Sequence, residues 1–393
     1  MPRRSRWRSD AAAVPRRVLY LHSSSGRYGA DRQLHLIATG LDPDRYRALV
    51  VLPEEGPLVD DLRAAGVEVL VRPLAVIRRE LMSPGGLRGI AAARRRDRRE
   101  LAALIHEREV ALVHTNTSVT LGGFVAAPRA RVPHVCHVRE IYAGFGAIWP
   151  LWRRALTRAD ALACVSEAVR EQFGASPRAR VVHDGLPALP ERAPREAARR
   201  VLGVAPEAFA CAVLGRISSW KGQEVLVEAL AREPLRSTGA IALVAGAPWP
   251  GQEHRLAALL ELVHRLGLGE RVRFLGFRDD VENVYGAADA IVVPSTAPDP
   301  LPNAALEAAA AGCCVVASNH GGLPEIVHHG ETGLLFAPGD ADALGRALAE
   351  LAADSGRVER LGAAAAADVR ERFAPGRLLT DVQQLYDKLL AER

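Results

Sequence analysis

Apolar residues recur along this chain in two rhythms. Short runs rich in Val, Leu, Ile and Ala alternate with longer stretches whose apolar positions return every three or four residues. The first rhythm predicts strands buried on both faces, the second amphipathic helices. In the first half, strands are predicted at 17–22, 48–52, 67–71, 110–114, 132–138, 161–165 and 180–183. Helices are predicted at 30–40, 57–65 and 87–108, the second stopped by Gly66. The run Ser23-Ser24-Ser25-Gly26-Arg27-Tyr28-Gly29 turns from the first strand into the first helix. Strand, glycine turn and helix open a βα unit.

Pro187, Pro190 and Pro194 then interrupt the pattern and mark a linker at 188–198. Beyond it the alternation restarts. Strands are predicted at 210–214, 241–245, 272–275, 290–293 and 315–317, with helices at 224–231 and 252–266 and a closing amphipathic helix at 377–390. Strands alternating with helices predict parallel, doubly wound sheets. The expected fold is therefore α/β, with two Rossmann-like domains facing each other across a cleft. The expected organisation is a disordered basic tail at 1–15, a first domain at 16–187, the linker, a second domain at 199–375, and a helix at 376–393 that packs back toward the first domain.

A length of 393 residues agrees with two domains. Charge changes the picture in one respect. Six arginines and one acid within residues 1–17 account for the whole net charge of +5, so the folded body is neutral. A neutral body lacks the basic face of a nucleic-acid-binding module, and no nucleic-acid partner is expected. The five cysteines form no CxxC pair, which suggests reduced thiols and a cytoplasmic protein. The tail has no apolar core of a signal peptide, and no apolar run nears the ~20 residues of a spanning helix. Any membrane contact would be peripheral, at the inner face. The arginines of the tail and the cluster Arg94–Arg99 are the basic stretches that could make it.

Three motifs carry chemistry. Gly215-Arg216-Ile217-Ser218-Ser219-Trp220-Lys221-Gly222 follows the first strand of the second half. Its two cations, Arg216 and Lys221, can neutralise a diphosphate, and the glycines let the backbone approach it. Asp299-Pro300-Leu301-Pro302-Asn303-Ala304-Ala305-Leu306-Glu307 comes next. The prolines keep Asp299 in a loop and start a helix, so the free amides of Asn303 and Ala304 form an anion site between the two carboxylates. Gly321-Gly322-Leu323-Pro324-Glu325 and Gly330-Glu331-Thr332-Gly333 make two further turns, the first expected to face the cleft with free amides.

In this order and spacing the motifs resemble the retaining nucleotide-sugar glycosyltransferases of family 4 (group 1), which have the GT-B fold. The resemblance runs from about residue 16 to 390. Tyr28-Gly29-Ala30-Asp31 looks like the family's glycine loop, and His183-Asp184-Gly185 its Asn-Gly turn, with Asp in place of Asn. The resemblance implies a transferase that moves a sugar from a UDP- or GDP-linked donor to a glycan, lipid-linked or small-molecule acceptor, retaining anomeric configuration. Such enzymes serve polysaccharide biosynthesis. It implies that Gly215, Arg216 and Lys221 hold the donor diphosphate. Glu307 would bind the ribose, Asp299 the transferred sugar, and Gly29 would pass its amide near phosphate or acceptor. The base would lie near 274–278. His137 matches the active-site histidine of the first domain, with His134 as competitor. No metal or cofactor is expected; the nucleotide sugar is a co-substrate. Three departures stand out: Asp299 replaces the usual Glu, Tyr28 replaces the first glycine of a common pair, and Glu140 stands beside Arg139 in a neighbourhood that varies with acceptor. Asp42-Pro43-Asp44 and Asp340-Ala341-Asp342 spell the metal-binding pattern of another transferase fold, and here suit turn and helix-cap positions. The rival readings are a sugar-binding protein with a decayed site and a GT-B nucleotide-sugar epimerase.

Overall fold

The computed structural model describes residues 14–77 and 84–392. Residues 1–13 of the basic tail lie outside them. The first sheet contains β1 (Arg16–Leu21), β2 (Tyr46–Leu52), β3 (Glu68–Val71), β4 (Val110–Thr115), β5 (His134–Val138), β6 (Ala161–Cys164) and β7 (Ala179–Val181). Its strand order is β3-β2-β1-β4-β5-β6-β7, with parallel pairing throughout. The second sheet contains β8 (Ala210–Leu214), β9 (Ile241–Ala245), β10 (Val272–Gly276), β11 (Ala290–Val293), β12 (Cys314–Ser318) and β13 (Gly333–Phe336). Its order, β10-β9-β8-β11-β12-β13, is also parallel. Each sheet therefore winds outward from its first strand and then reverses. The reversal opens a crevice between β1 and β4, and another between β8 and β11, at the carboxyl ends of the strands.

The strands are apolar on both faces because helices cover both. On one face of the first sheet, Val18, Tyr20, Val50 and Leu112 pack with Leu34, Ile37 and Leu58. On the other, Leu19, Leu49 and Val113 meet Leu101, Leu104 and Ile105. One further cluster is continuous between the domains: Cys136, Leu156 and Phe173 of the first pack in the same core as Ala212, Ala305 and Phe373. The lobes thus share an apolar hinge region as well as the connecting chain.

Two local features differ from the sequence expectation. The helix Arg195–Leu202 begins inside the proline-marked stretch, because Pro194 occupies its N-cap and Arg199 is drawn inward. The buried Arg199 guanidinium donates to Asp289 at 2.8 Å and to the carbonyls of Ala205 and Ala208. The strand expected at 180–183 ends at Val181, which leaves His183 and Asp184 free to turn toward the cleft. The helix Pro375–Ala391 crosses to the first sheet and inserts Leu378, Val382, Leu385, Tyr386 and Leu389 into its core. There the Tyr386 hydroxyl shares a 2.9 Å hydrogen bond with Tyr20 and meets Nδ1 of His114. No helix among the described residues is long and apolar enough to cross a membrane.

Candidate functional site

Both crevices open toward each other, and two adjoining cavities fill the space between them. The smaller, about 540 Å³, is lined by Gly29, Arg139, Asp184, Lys221, Asp299 and Asn303 among others. The larger, about 880 Å³, is lined by Arg32, Pro187, Phe277, Arg278 and Glu307 among others. Tyr28, Leu214, Gly215, Arg216 and Trp249 border both, so the two form one trough with Arg216 at its waist. These are volumes in the range of small-molecule sites.

The Gly215–Gly222 loop leaves the end of β8 and bends back under backbone constraint. Gly215 has φ +136°, and Gly246 beside it has φ +149° with its Cα hydrogens against the Gly215 carbonyl. Gly222 has φ +71°, and a Cβ there would lie 1.8 Å from the Pro294 carbonyl oxygen. Only glycine lets the loop lie this close to the end of β11. That packing sets Lys221 beside the second motif: its Nζ is 2.7 Å from Oδ2 of Asp299. Arg216 is held differently. Its guanidinium lies 3.4 Å above the Trp249 ring and 5.4 Å from the centroid of Tyr28, which itself sits 5.8 Å from Trp249. Two aromatic rings, one from each lobe, thus hold this cation by stacking.

The helix Asn303–Ala310 starts after Pro302, as the prolines predict, and presents Asn303 and Ala304 to the smaller cavity. Gly29 meets it from the other lobe; a Cβ at Gly29 would fall 2.3 Å from Nδ2 of Asn303. Glu307, one turn into the helix, faces the larger cavity and pairs with Arg32 of the first domain at 3.1 Å. Burial raises the Glu307 pKa, against the pull of Arg32 and of the Tyr285 hydroxyl. Asp299 and Glu307 therefore lie in different halves of the trough.

Two positions depart from the sequence expectation. His137 lines neither cavity. It is fully buried, stacks on His114 at 5.5 Å, and burial, with Arg139 and His114, drives its pKa far below the usual histidine value. The residue that reaches the trough is Arg139, two positions further along and just past the end of β5. Arg139 forms an ion pair with Asp184 and donates through Nε to the Asn116 carbonyl at 3.0 Å. Burial raises the Asp184 pKa, with Arg139 opposing. The signal was available: residues at i and i+2 share a strand face, and the one at the strand's end overlooks the crevice. His134, the competitor, is also buried, with Nε2 2.8 Å from Oγ1 of Thr115.

The Gly321-Gly322 turn is the second departure. Its glycines receive the Asp299 loop rather than a ligand: Cβ atoms would lie 2.4 Å from the Asp299 carbonyl and 2.1 Å from that of Pro300. The Gly322 amide donates to the Asp299 carbonyl at 2.8 Å. Glu325, to which the sequence assigned no role, links the lobes. It reaches across to the first domain and accepts hydrogen bonds from the amides of Glu167 (2.8 Å) and Ala168 (3.2 Å), with His183 Nε2 2.9 Å away. In the Gly330–Gly333 turn, Thr332 Oγ1 accepts from the His328 amide. Trp249, at the waist of the trough, is marked by no motif. Of the two Asp-x-Asp stretches, Asp42 sits in a turn and accepts from the Asp44 amide, and Asp340 caps the following helix by accepting from the Ala343 amide.

Two family sequence models match this chain. The family described as Glycosyltransferase Family 4 matches residues 27–187, and Glycosyl transferases group 1 matches 194–368. Among curated proteins, the D-inositol 3-phosphate glycosyltransferase of Corynebacterium diphtheriae is 35% identical over 213 residues, 50% of this chain and 49% of that protein. That of Kribbella flavida is 38% identical over 203 residues, 49% and 47% of the two chains. The chain thus spans about half the length of the curated relatives it matches. Among solved structures, Anabaena Alr3699/HepE in complex with UDP superposes with a TM-score of 0.80 at 27% identity, covering 95% of this chain and 100% of that one. The same protein in complex with UDP-glucose gives 0.78 at 27% identity, over 95% and 99%. The sucrose-phosphate synthase of Thermosynechococcus elongatus, 23% identical, shares the fold with a TM-score of 0.75 over 96% and 100%. With both halves matched and the two-sheet architecture in common, this chain belongs to the group 1, family 4 glycosyltransferases of GT-B fold.

Proposed function

We propose that this glycosyltransferase takes its sugar from a uridine diphosphate sugar and transfers it with retention of anomeric configuration. The observation that carries this reading is the single trough with an aromatic-stacked arginine at its waist. The larger half suits a nucleoside: Phe277 and Arg278 would flank the base, and Glu307 would accept from ribose hydroxyls once Arg32 yields. The waist suits the diphosphate, reached by Arg216, Lys221 and the amides at the start of the helix Asn303–Ala310. The smaller half then receives the sugar beside Asp299, with Arg139 and Asp184 forming the opposite, acceptor-side wall. The HepE complexes with UDP and UDP-glucose support the choice of base.

In this arrangement the second domain binds the donor and the first admits the acceptor, a glycan or a lipid-linked or small molecule. Cleavage of the bond from anomeric carbon to phosphate leaves charge on the diphosphate. Arg216 would meet it from its stacked position, and Lys221 once the diphosphate draws it from Asp299, which is electrostatic stabilisation. Attack by the acceptor hydroxyl on the face the diphosphate leaves gives retention. Asp299, its carboxylate held by Lys221, would orient a sugar hydroxyl.

A donor panel tests the reading. Purified protein is incubated with UDP- and GDP-sugars, and released nucleoside diphosphate is followed by mass spectrometry. Release from one UDP-sugar, lost in Lys221→Ala and Glu307→Ala, is the expected result. The anomeric proton coupling of the product reports stereochemistry. UDP binding without turnover of any sugar, with or without acceptors, would favour the decayed-site reading.

A further inference from the structure

Beyond the trough, the described surface carries one compact group of exposed apolar side chains. It follows β5, in the 3₁₀ segment Ala143–Ile148 and the helix Trp149–Leu156. Phe145 is 37% exposed, Ile148 56% and Leu151 74%. They recur at intervals of three residues. The stretch 143–158 also contains Arg153, Arg154 and Arg158, and no acid. None of these three arginines pairs with an acid among the described residues, and all three are exposed.

The exposed side chains do not belong to a loose segment. Trp149 stacks on Tyr142 at 5.0 Å and meets Phe173 edge-on at 5.7 Å. Trp152 packs on the same core, and Leu156 is fully buried. The aromatic side of the helix is thus fixed to the first domain, while Leu151 and Arg154, one turn apart, point away from it. Phe145 also meets Tyr142 edge-on at 4.8 Å, whereas Ile148 and Leu151 are held in water next to cations without acidic partners.

We propose that this segment is a docking surface for an anionic lipid bilayer. Two chemical features choose the bilayer over a protein. The apolar contribution is three side chains, far below the ~800 Å² per partner of a stable protein interface. Insertion to the depth of the headgroup–acyl boundary needs no more than this. Arginines flanking the apolar tips match anionic headgroups, which lie at the level the guanidinium groups reach when the tips are immersed. The surface is distinct from the Arg94–Arg99 helix, and residues 1–13 of the basic tail lie outside the described residues. It also begins a few residues past Arg139, so docking sets the first-domain wall of the trough toward the membrane. The inference does not depend on the identity of the donor.

The test is co-sedimentation of the full chain with vesicles of phosphatidylcholine alone or mixed with phosphatidylglycerol. Binding to the mixed vesicles, weakened by salt and absent with neutral ones, is expected. The double variant Ile148→Asp/Leu151→Asp should lower the partition coefficient about tenfold or more, and Arg153→Glu/Arg154→Glu by a similar factor. Both substitute exposed groups outside the trough, so urea midpoints and UDP-sugar hydrolysis without vesicles should match those of the unaltered chain. The proposal fails if the chain ignores anionic vesicles at low salt. It also fails if both double variants bind unchanged, which would place binding in the tail or the Arg94–Arg99 helix. Self-association seen by light scattering and abolished by Leu151→Asp, without vesicle binding, would replace the bilayer by a second copy of the chain.

Discussion

Asp299→Asn should tighten the binding of UDP while lowering sugar transfer. Lys221 Nζ lies 2.7 Å from Asp299 Oδ2, and both side chains are largely buried. At an effective dielectric constant near 20, the gross attraction at this separation is about 6 kcal/mol. Most of that is offset by the hydration both groups give up, which leaves a net coupling of about 1–2 kcal/mol. A diphosphate entering the waist competes with Asp299 for the same ammonium. Removing the carboxylate's charge while keeping its shape frees Lys221 for the ligand. UDP affinity should then rise by about 5–30-fold, since about 1.4 kcal/mol is tenfold. Transfer should fall, because the amide orients a sugar hydroxyl less strongly than a carboxylate does. Isothermal titration with UDP reads the first effect and donor turnover the second. Lys221→Ala and the double variant close a cycle: in the absence of Lys221, Asp299→Asn should no longer tighten binding by this amount. Unchanged or weaker UDP binding by Asp299→Asn would refute the argument that the pair guards the diphosphate site.

Other perturbations probe the frame around that pair. Gly222→Ala combines a positive φ with a Cβ 1.8 Å from a backbone oxygen, so it should cost about 3 kcal/mol or more and displace Lys221; an unaltered urea midpoint would contradict the loop packing. Glu325→Ala leaves the amides of Glu167 and Ala168 without their protein acceptor, and should cost about 2–4 kcal/mol and raise the donor KM by loosening the lobes. Glu325→Gln, which can still accept, should fall between, and solution scattering should show a wider particle for the alanine variant. His134 is buried and its pKa is lowered to about 4, chiefly by burial. The unfolded chain takes up that proton below pH 6.5 and the folded chain does not, so this group removes stability as pH falls from about 6.5 to 4, approaching 1.4 kcal/mol per pH unit. Buried Glu140 and Asp184, whose folded values are raised by burial, act in the opposite sense. The clean observable is therefore the difference in pH slope between the unaltered chain and His134→Gln. It should equal about one proton, and parallel curves would refute it.

Much of the architecture was legible because burial on both faces leaves a direct signature. A parallel strand covered by helices must be apolar at every position, and such runs stand out between amphipathic stretches. The prolines around Asn303 fixed the start of that helix by the same local logic, since Pro cannot continue a preceding helix. The cations of the Gly215–Gly222 loop could be located because they sit between glycines right after a strand. What the sequence determined by itself was thus everything governed by local backbone chemistry and by periodicity.

Tertiary structure decided the pairings. Nothing local shows that Lys221 would meet Asp299, 78 positions away, or that Arg216 would lie between a tyrosine of one lobe and a tryptophan of the other. His137 lies within β5 and Arg139 just past its end, and only the assembled fold shows Arg139 meeting Asp184 at the trough. The Gly321-Gly322 turn reads as a ligand cradle until the Asp299 loop is seen lying against it. A sequence specifies which groups can bind a diphosphate or bridge two lobes. Their partners are chosen by the relative placement of two sheets, and that placement comes from an apolar core shared between the lobes, which no single element encodes.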